Sequence, residues 1–240
     1  MQKAKLSIVI PAYNESRTII KVLNKIADVQ LPDDSQKEII IVDDCSTDTT
    51  REVIEEYVRT SGVDHIRYLR NEKNSGKGFG IRKGIEAATG DFVLIQDADL
   101  EYDPRDYAKL LTPAIEGVAD VVYGSRLMST APRRILFFWH SIGNHFLTFL
   151  CNVFSNLNLT DMETGYKLFR REIISSVKLR ENRFGFEPEV TIKVARIPGV
   201  RIYEVGISYY GRTYAEGKKI TAKDGFRAIW CILKYSLFAR

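Results

Sequence analysis

Cysteine is scarce and scattered. Only Cys45, Cys151 and Cys231 occur in 240 residues, an odd number at wide spacing. A disulfide framework or a zinc cluster needs paired or closely spaced cysteines, so neither organises this chain, and a reduced, cytosolic-side compartment is the expected home. His140 and His145 would need a third ligand to hold a metal, and the sequence offers no evident one. The N-terminus passes from Met1-Gln2-Lys3 straight into a strand pattern, without the apolar stretch and small-residue cleavage site of a secretory signal. Neither sign of charge dominates. A net charge of +4 suits anionic ligands or a membrane surface and gives no reason to expect nucleic acid as a partner. Repeats and low-complexity tracts are missing too, and with 45% apolar and 28% charged residues the chain is neither disordered nor collagen-like. Its length is enough for one well-buried domain.

A purely apolar run is also lacking. Residues 135–160 carry no Asp, Glu, Lys or Arg and are long enough to span a bilayer. They include His140, Ser141, Asn144, His145, Asn152, Ser155, Asn156 and Asn158, too many polar groups for a lone lipid-facing helix. An interfacial or buried helix is expected instead.

What is present alternates. Leu6–Ile10, Glu38–Val42, Ile66–Leu69, Phe92–Ile95 and Val121–Tyr123 are short apolar, β-branched runs. Between them Ile19, Ile20, Leu23, Ile26 and Ala27, then Val53, Ile54, Tyr57 and Val58, then Ile81, Ile85 and Ala88 recur at helical spacing. Strands separated by helices predict a Rossmann-like, mostly parallel twisted sheet with helices on both faces. The second half is more helical and returns to short strands at Arg201–Val205 and Ile207–Tyr210. A soft division is placed at Gly124-Ser125-Arg126, and residues from about 211 form a separable tail with a basic loop and a C-terminal amphipathic helix.

The run Leu94-Ile95-Gln96-Asp97-Ala98-Asp99-Leu100-Glu101 sets carboxylates one residue apart at the end of a strand. Alternation turns Asp97 and Asp99 the same way, and two carboxylates so close repel unless a cation lies between them. Mg²⁺ or Mn²⁺, completing its octahedron with water and phosphate oxygens, answers that need. An acidic loop after a strand leaves the same trace, so context decides. In open parallel sheets the ligand lies beyond the carboxyl ends of the strands. Pro11-Ala12-Tyr13-Asn14-Glu15 and Asp43-Asp44-Cys45-Ser46-Thr47-Asp48 follow the first two strands there. Asn74-Ser75-Gly76-Lys77-Gly78-Phe79-Gly80 opens the third helix and could cradle a phosphate or simply cap the helix; its spacing is neither a P-loop nor a dinucleotide fingerprint.

Pro11-Ala12-Tyr13-Asn14-Glu15, Val42-Asp43-Asp44-Cys45-Ser46-Thr47-Asp48 and Asp97-Ala98-Asp99, in this order and spacing, resemble the inverting family-two glycosyltransferases of GT-A fold. Gly124-Ser125-Arg126, Thr164-Gly165-Tyr166-Lys167-Leu168-Phe169 and 211–220 resemble the polyprenyl-phosphate branch, typified by dolichyl-phosphate mannosyltransferase. The resemblance implies one GT-A domain over residues 1–210, with a nucleotide-sugar half (1–125) and an acceptor half (126–210). It implies that Pro11, Tyr13 and Glu15 line the base and ribose pocket beside Val42 and Asp44, and that Asp97, Ala98 and Asp99 hold ribose, metal and diphosphate. Asp99 and Glu101 are the expected ligands of Mg²⁺ or Mn²⁺; some relatives carry Gln at the second position. Asp97, Asp99, Arg126 and Arg212 are the expected catalytic residues. Lys77, Arg126, Arg134, Arg212 and Lys218 are the candidate substrate-binding cations, since Arg binds phosphate in bidentate fashion and Lys offers a point charge.

The reaction so implied moves a hexose, mannose or glucose, from GDP-mannose or UDP-glucose to a dolichyl or undecaprenyl phosphate. A phosphate acceptor with a second pKa of about 6 is already largely dianionic at neutral pH and needs no dedicated base. Asp161, Glu163, Glu187 and Glu189 are carboxylates of the acceptor half with no spacing that singles one out; Asp161 reads as structural or acceptor-orienting. Two alternatives stay open: transfer to a glycan hydroxyl, and an inactive sugar-nucleotide-binding subunit.

A membrane face is also expected. Ile135, Phe138, Trp139, Ile142, Phe146, Phe149, Leu150, Val153 and Leu157 repeat at helical spacing, opposite Ser141, Asn144, His145, Thr148, Asn152 and Ser155. Phe226, Ile229, Trp230, Leu233 and Leu237 repeat the pattern near the C-terminus. Peripheral binding on the cytosolic face of a membrane is the expectation, alone or with a membrane partner subunit.

Overall fold

The computed structural model describes residues 3–63, 65–128, 134, 137–213 and 222–238. Seven strands form one sheet: β1 (Lys5–Ala12), β2 (Gln36–Asp43), β3 (Ile66–Arg70), β4 (Phe92–Ile95), β5 (Val121–Ser125), β6 (Lys167–Arg170) and β7 (Ile202–Gly206). Their order is β3-β2-β1-β4-β6-β5-β7; β6 runs antiparallel to both neighbours and every other pairing is parallel. The chain leaves β1 toward β2 on one side and returns to β4 on the other, so the strand order reverses at β1/β4 and a crevice opens beyond their carboxyl ends.

Alternation along the strands builds two cores. Ile8, Ile10, Ile39, Ile41 and Leu94 face one side, packed against Leu23 and Ile26 of α1 (Ile19–Asp28), Ile54 of α2 (Thr50–Thr60) and Leu110 and Leu111 of a later helix, α4 (Tyr107–Ile115). Val9, Ile40, Val42, Val93 and Ile95 face the other, with Ile81 and Ile85 of α3 (Lys77–Ala87), Cys151 of α5 (Phe138–Ser155), Ile174 of α6 (Arg171–Ser176), Val190 and Ile192 of α7 (Phe186–Ala195), and Cys231 and Ile232 of α8 (Ala222–Leu233). All three cysteines are free.

Three expectations are corrected. The segment 207–210 is not a strand: apart from an isolated bridge between Tyr102 and Tyr209, it is laced to the loop after β4 by Ser208 N donating to Asp106 Oδ2 (2.6 Å) and Tyr210 N to Glu101 O (2.8 Å). β6 supplies the strand that had no sequence prediction, inserted between β4 and β5 so that both halves of the chain share one sheet. The C-terminal helix is not separable, because Ala228, Cys231, Ile232 and Tyr235 are buried and three of them belong to the second core.

That attachment centres on Glu181, buried in the loop before α7, which accepts hydrogen bonds from Arg227, Lys234 (2.9 Å) and Tyr235 (2.7 Å). Burial opposes its charge, yet the bonds from Arg227, Tyr235 and Lys234 prevail and lower its pKa to about 2. A lowered carboxylate pKa gives stability that is present above the unfolded value and lost as pH falls toward 2. Glu181→Gln is therefore expected to cost about 1–3 kcal/mol at pH 7, toward the low end because Arg227 is half exposed, and to flatten the acid limb of stability in denaturation curves between pH 5 and pH 2.

Candidate active site

The rim of the crevice is built by loops that tie to one another. Beyond β1, Asn14 adopts a left-handed backbone (φ 55°), which Asn tolerates, and its amide donates to Ser46 Oγ (3.0 Å) while its Oδ1 accepts from Thr47 N (2.8 Å). Glu15 N donates to Thr50 Oγ1 (2.8 Å) at the start of α2. These bonds fix Tyr13, whose ring is exposed, and the half-buried Glu15 at the edge of the crevice. Pro11 and Ala12 lie within β1 itself.

Two residues of the expected base pocket have other work. The Val42 side chain is fully buried in the second core, where it packs beneath α3. Asp44 is buried and spends both oxygens on the glycine-rich loop: Oδ1 accepts from Asn71 Nδ2 (2.8 Å) and Ser75 N (2.9 Å), Oδ2 from Gly76 N (2.6 Å). The amides that could have cradled a phosphate are thus held by a carboxylate of the chain, and Gly76, at φ 100°, has the backbone that this turn requires. The loop delivers Lys77, at the first position of α3, into the crevice: its Nζ lies 2.8 Å from Asp97 Oδ1 and 3.3 Å from Glu187 Oε1. Burial works against the Lys77 charge, but Asp97 and Glu187 outweigh it and raise its pKa.

The acidic turn rests on a buried tyrosine floor. Gln96 accepts from Tyr107 (2.7 Å) and Tyr166 (2.5 Å) hydroxyls and donates through Nε2 to Asp97 O (2.8 Å), while Tyr102 stacks on Tyr166 with ring centroids 4.6 Å apart. Gly165 lies against the turn so closely that a Cβ there would stand 2.5 Å from Asp97 Oδ2 and 2.9 Å from the Tyr102 ring, so a larger residue would push Asp97 or Tyr102 out of place. Ala98 is buried beneath. Asp99 and Glu101 face one cation, the Arg212 guanidinium: it bonds Asp99 Oδ2, its Nε lies 3.2 Å from Glu101 Oε1, and its backbone N donates to the same oxygen (2.8 Å). Burial first, then the charges of Asp97 and Glu101, raise the Asp99 pKa to about 7 against the pull of Arg212. One guanidinium thus leaves the carboxylates with surplus negative charge. Among the described residues no three His, Cys or carboxylate groups converge into a closed metal centre. An oxygen-only pair with excess charge and open positions fits a hard divalent ion that takes phosphate and water for its other ligands.

On the acceptor side, Arg126 at the end of β5 is clamped by the fully buried Asp161, with Nε–Oδ2 at 2.6 Å and a second bond to Oδ1 at 2.7 Å, and it lies 5.2 Å from the Tyr209 ring centroid. Burial opposes ionisation of Asp161, yet Arg126 lowers its pKa. Arg134 donates to Gly211 O (3.2 Å), beside Arg212. Lys218 lies outside the described residues.

α5 turns Asn144, Thr148 and Asn152 inward beside Leu147, Leu150, Cys151 and Phe154, which pack on the second core, while Ser141 and His145 stay exposed. Asn144 Nδ2 donates to Asp161 Oδ1 (3.0 Å), Thr148 Oγ1 accepts from Met162 N (3.1 Å), and Asn152 bonds both the carbonyl and the amide of Leu159 (2.8 and 3.0 Å). A second apolar side faces out: Trp139 is 78% exposed and Phe149 63%, with Phe138, Ile142, Phe146 and Val153 also exposed. α8 packs beside α5 and leaves Phe226 and Trp230 exposed, followed by Leu237 and Phe238. No helix among the described residues is long and apolar enough to cross a membrane.

Sequence reasoning named Lys77 and Asp97 but missed that Glu187 joins them, and it gave Gln96, Tyr102 and Tyr107 no supporting role. Glu187 sits among the acceptor-half carboxylates that spacing could not separate.

The chain is 27% identical over its whole length to dodecaprenyl-phosphate galacturonate synthase of Rhizobium johnstonii, covering 69% of that protein. It is 28% identical over 85% of its length to glycosyltransferase AglD of Haloferax volcanii, covering 33% of it. Among solved structures, glucosyl-3-phosphoglycerate synthase of Mycobacterium tuberculosis, in complex with Mn²⁺, UDP and phosphoglyceric acid, superposes at TM-score 0.74 with 22% identity, over 98% of this chain and 79% of that one. Mannosyl-3-phosphoglycerate synthase of Rubrobacter xylanophilus superposes at TM-score 0.70 with 19% identity, over 96% and 73%. The model described as "Glycosyl transferase family 2" matches residues 7–177, and with the sheet and acidic crevice above it establishes that the chain belongs to glycosyl transferase family 2, an enzyme of GT-A fold.

Proposed function

We propose that this glycosyltransferase moves a hexose, with inversion, from a nucleoside-diphosphate sugar to a polyprenyl phosphate at the cytosolic face of a membrane. The orientation of α5 carries the lipid part of this reading. A helix that packs Leu147, Leu150 and Cys151 on the core, spends Asn144, Thr148 and Asn152 on the protein, and still presents Trp139, Phe146 and Phe149 to solvent has a second apolar face suited to a lipid interface. Its inner side holds Asp161, and through it Arg126, so one helix joins the apolar surface to the acceptor half of the crevice. The name of the Rhizobium relative supports a polyprenyl-phosphate acceptor; its galacturonate is not carried over.

In this reading residues 1–125 bind the sugar nucleotide, with Tyr13 and Glu15 at the base and ribose, and residues 126–210 receive the acceptor. Asp99 and Glu101 would hold Mg²⁺ or Mn²⁺, which when bound neutralises charge on the departing diphosphate. Arg212, once released from the two carboxylates by the ion, would be free to pair with phosphate oxygens, and Arg134 beside Gly211 adds positive charge to the same loop. Asp161 keeps Arg126 ionised and aligned instead of serving as a base, consistent with an acceptor already dianionic.

The test is nucleoside-diphosphate release from GDP-mannose and UDP-glucose, with and without a short polyprenyl phosphate and Mn²⁺. Acceptor-dependent release with one donor is expected, and the chelated enzyme should be inactive. Release that responds only to a glycan acceptor would replace the lipid reading, and no turnover with any donor would leave a binding subunit.

A further inference from the structure

The acidic turn already holds a cation of the chain's own. The Arg212 guanidinium lies between the two expected ion ligands, bonding Asp99 Oδ2 and standing 3.2 Å from Glu101 Oε1. The other oxygen of Glu101 accepts from the Tyr209 hydroxyl (3.1 Å). Backbone amides pin the same segment, with Tyr210 N donating to Glu101 O and Arg212 N to Glu101 Oε1, both at 2.8 Å. The Arg212 side chain therefore pivots on a base fixed to one of the carboxylates that it neutralises. Asp99 and Glu101 keep 12% and 14% of their side-chain surface open and Arg212 24%, so a diffusing ion can reach this cluster. Burial opposes the Arg212 charge; Asp99, Glu101 and, more weakly, Glu15 favour it and raise its pKa, so Arg212 stays a full cation.

We infer that Arg212 is a tethered stand-in for the divalent ion, which keeps a free ion off the acidic turn and gives way to an ion that arrives with a diphosphate. The inference rests on the proposed reading of Asp99 and Glu101 as ion ligands. A divalent ion beside the guanidinium would set more positive charge than the two carboxylates carry, at separations where like charges repel strongly. Displaced by the ion alone, the guanidinium would lose both carboxylates with no equal anion in exchange, and a partly buried charge left without its partners is costly. A nucleotide sugar changes the balance. Its diphosphate brings further negative charge and oxygens that Arg binds in bidentate fashion, so Arg212 exchanges carboxylate for phosphate as the ion enters. Arg212 thereby determines specificity: the turn selects an ion carried by a diphosphate over the same ion in solution.

Manganese EPR, which reads free Mn²⁺ without any turnover, tests this on the full chain. Wild type is expected to bind Mn²⁺ about 30-fold more tightly with saturating UDP-glucose or GDP-mannose, whichever it prefers, than alone; by reciprocity Mn²⁺ should tighten that nucleotide sugar by the same factor in calorimetry. Arg212→Gln should move two affinities in opposite directions: Mn²⁺ alone about tenfold tighter, the nucleotide sugar in the presence of Mn²⁺ about tenfold weaker, leaving a coupling of about threefold. A residue that merely shapes the carboxylates would weaken both. Asp99→Ala, expected to hold no Mn²⁺ in either state, shows that the ion being read is the one at the turn. Should Arg212→Gln fail to fold, Arg212→Lys, a point charge without the fork that spans Asp99 and Glu101, must still tighten Mn²⁺ alone. Equal Mn²⁺ binding by wild type with and without nucleotide, or an Arg212→Gln variant that weakens both affinities, overturns this inference alone. No Mn²⁺ bound by any form in the presence of nucleotide overturns the ion site of the proposed function together with it.

Discussion

Asp99→Ala is expected to lower metal-dependent turnover by about 10³-fold or more while leaving the fold intact. The size follows from what the side chain would hold: an ion placed to offset charge that develops on the leaving diphosphate acts where few waters compete, and loss of one such preorganised contact alone costs about 10²–10³ in rate. The unchanged fold follows from the sign of the Asp99 shift. A carboxyl whose folded pKa is raised to about 7, by burial and by Asp97 and Glu101, destabilises the folded state when ionised, with the penalty growing from the ordinary carboxylate range up to about pH 7. Removing it relieves repulsion, and Arg212 keeps Glu101 as partner. Thermal denaturation should therefore give a midpoint at or above wild type for Asp99→Ala without ligand, and the rise that Mn²⁺ with nucleotide gives the wild type should vanish. A variant that keeps more than a tenth of wild-type turnover, or loses its fold, would refute the assignment of the acidic turn.

The turn was legible because it depends on local facts. Strand alternation, the position of Asp97 and Asp99 at the end of β4, and the rule that ligands gather at carboxyl ends all reside in a few consecutive residues. What the sequence hid is non-local. β6 is four residues long, begins with the buried Lys167, and owes its existence to the gap between β4 and β5. Lys77 meets Glu187 because the loop before α7 packs onto the start of α3, where Phe79 N donates to Asn182 O (3.1 Å) and Arg82 to Glu181 O (2.6 Å). Asp44 presented an ambiguity of a different kind. A carboxylate and a phosphate satisfy the same backbone amides, so a glycine-rich turn does not announce which of them it will bind.

The orientation of α5 shows why periodicity alone stops short. A helical repeat of Phe138, Ile142, Phe146, Phe149 and Val153 establishes that one face is apolar, but the same repeat describes a face pressed into a core and one left to solvent. Only the partners of the other face decide, and here Asn144, Thr148 and Asn152 are spent on Asp161, Met162 and Leu159. Since the outward residues touch little of the protein, replacing Trp139 and Phe146 together by serine should leave the thermal midpoint and the binding of nucleotide sugar unchanged. Each lost aromatic should weaken partition into a bilayer by about 1.5 kcal/mol, roughly tenfold, so the pair should reduce liposome binding about 100-fold. Wild-type binding should favour anionic vesicles, drawn by the exposed Lys223 and Arg227 of α8, and should fall with added salt as the Debye length shrinks from about 10 Å at 0.1 M toward about 3 Å at 1 M. Co-flotation with vesicles measures the partition, and turnover with long against short, water-soluble acceptors separates surface docking from chemistry. The double variant should lose activity on the long lipid and keep it on the short one; a wild-type protein that stays out of the lipid fraction at low ionic strength would show that this apolar face meets something other than a membrane.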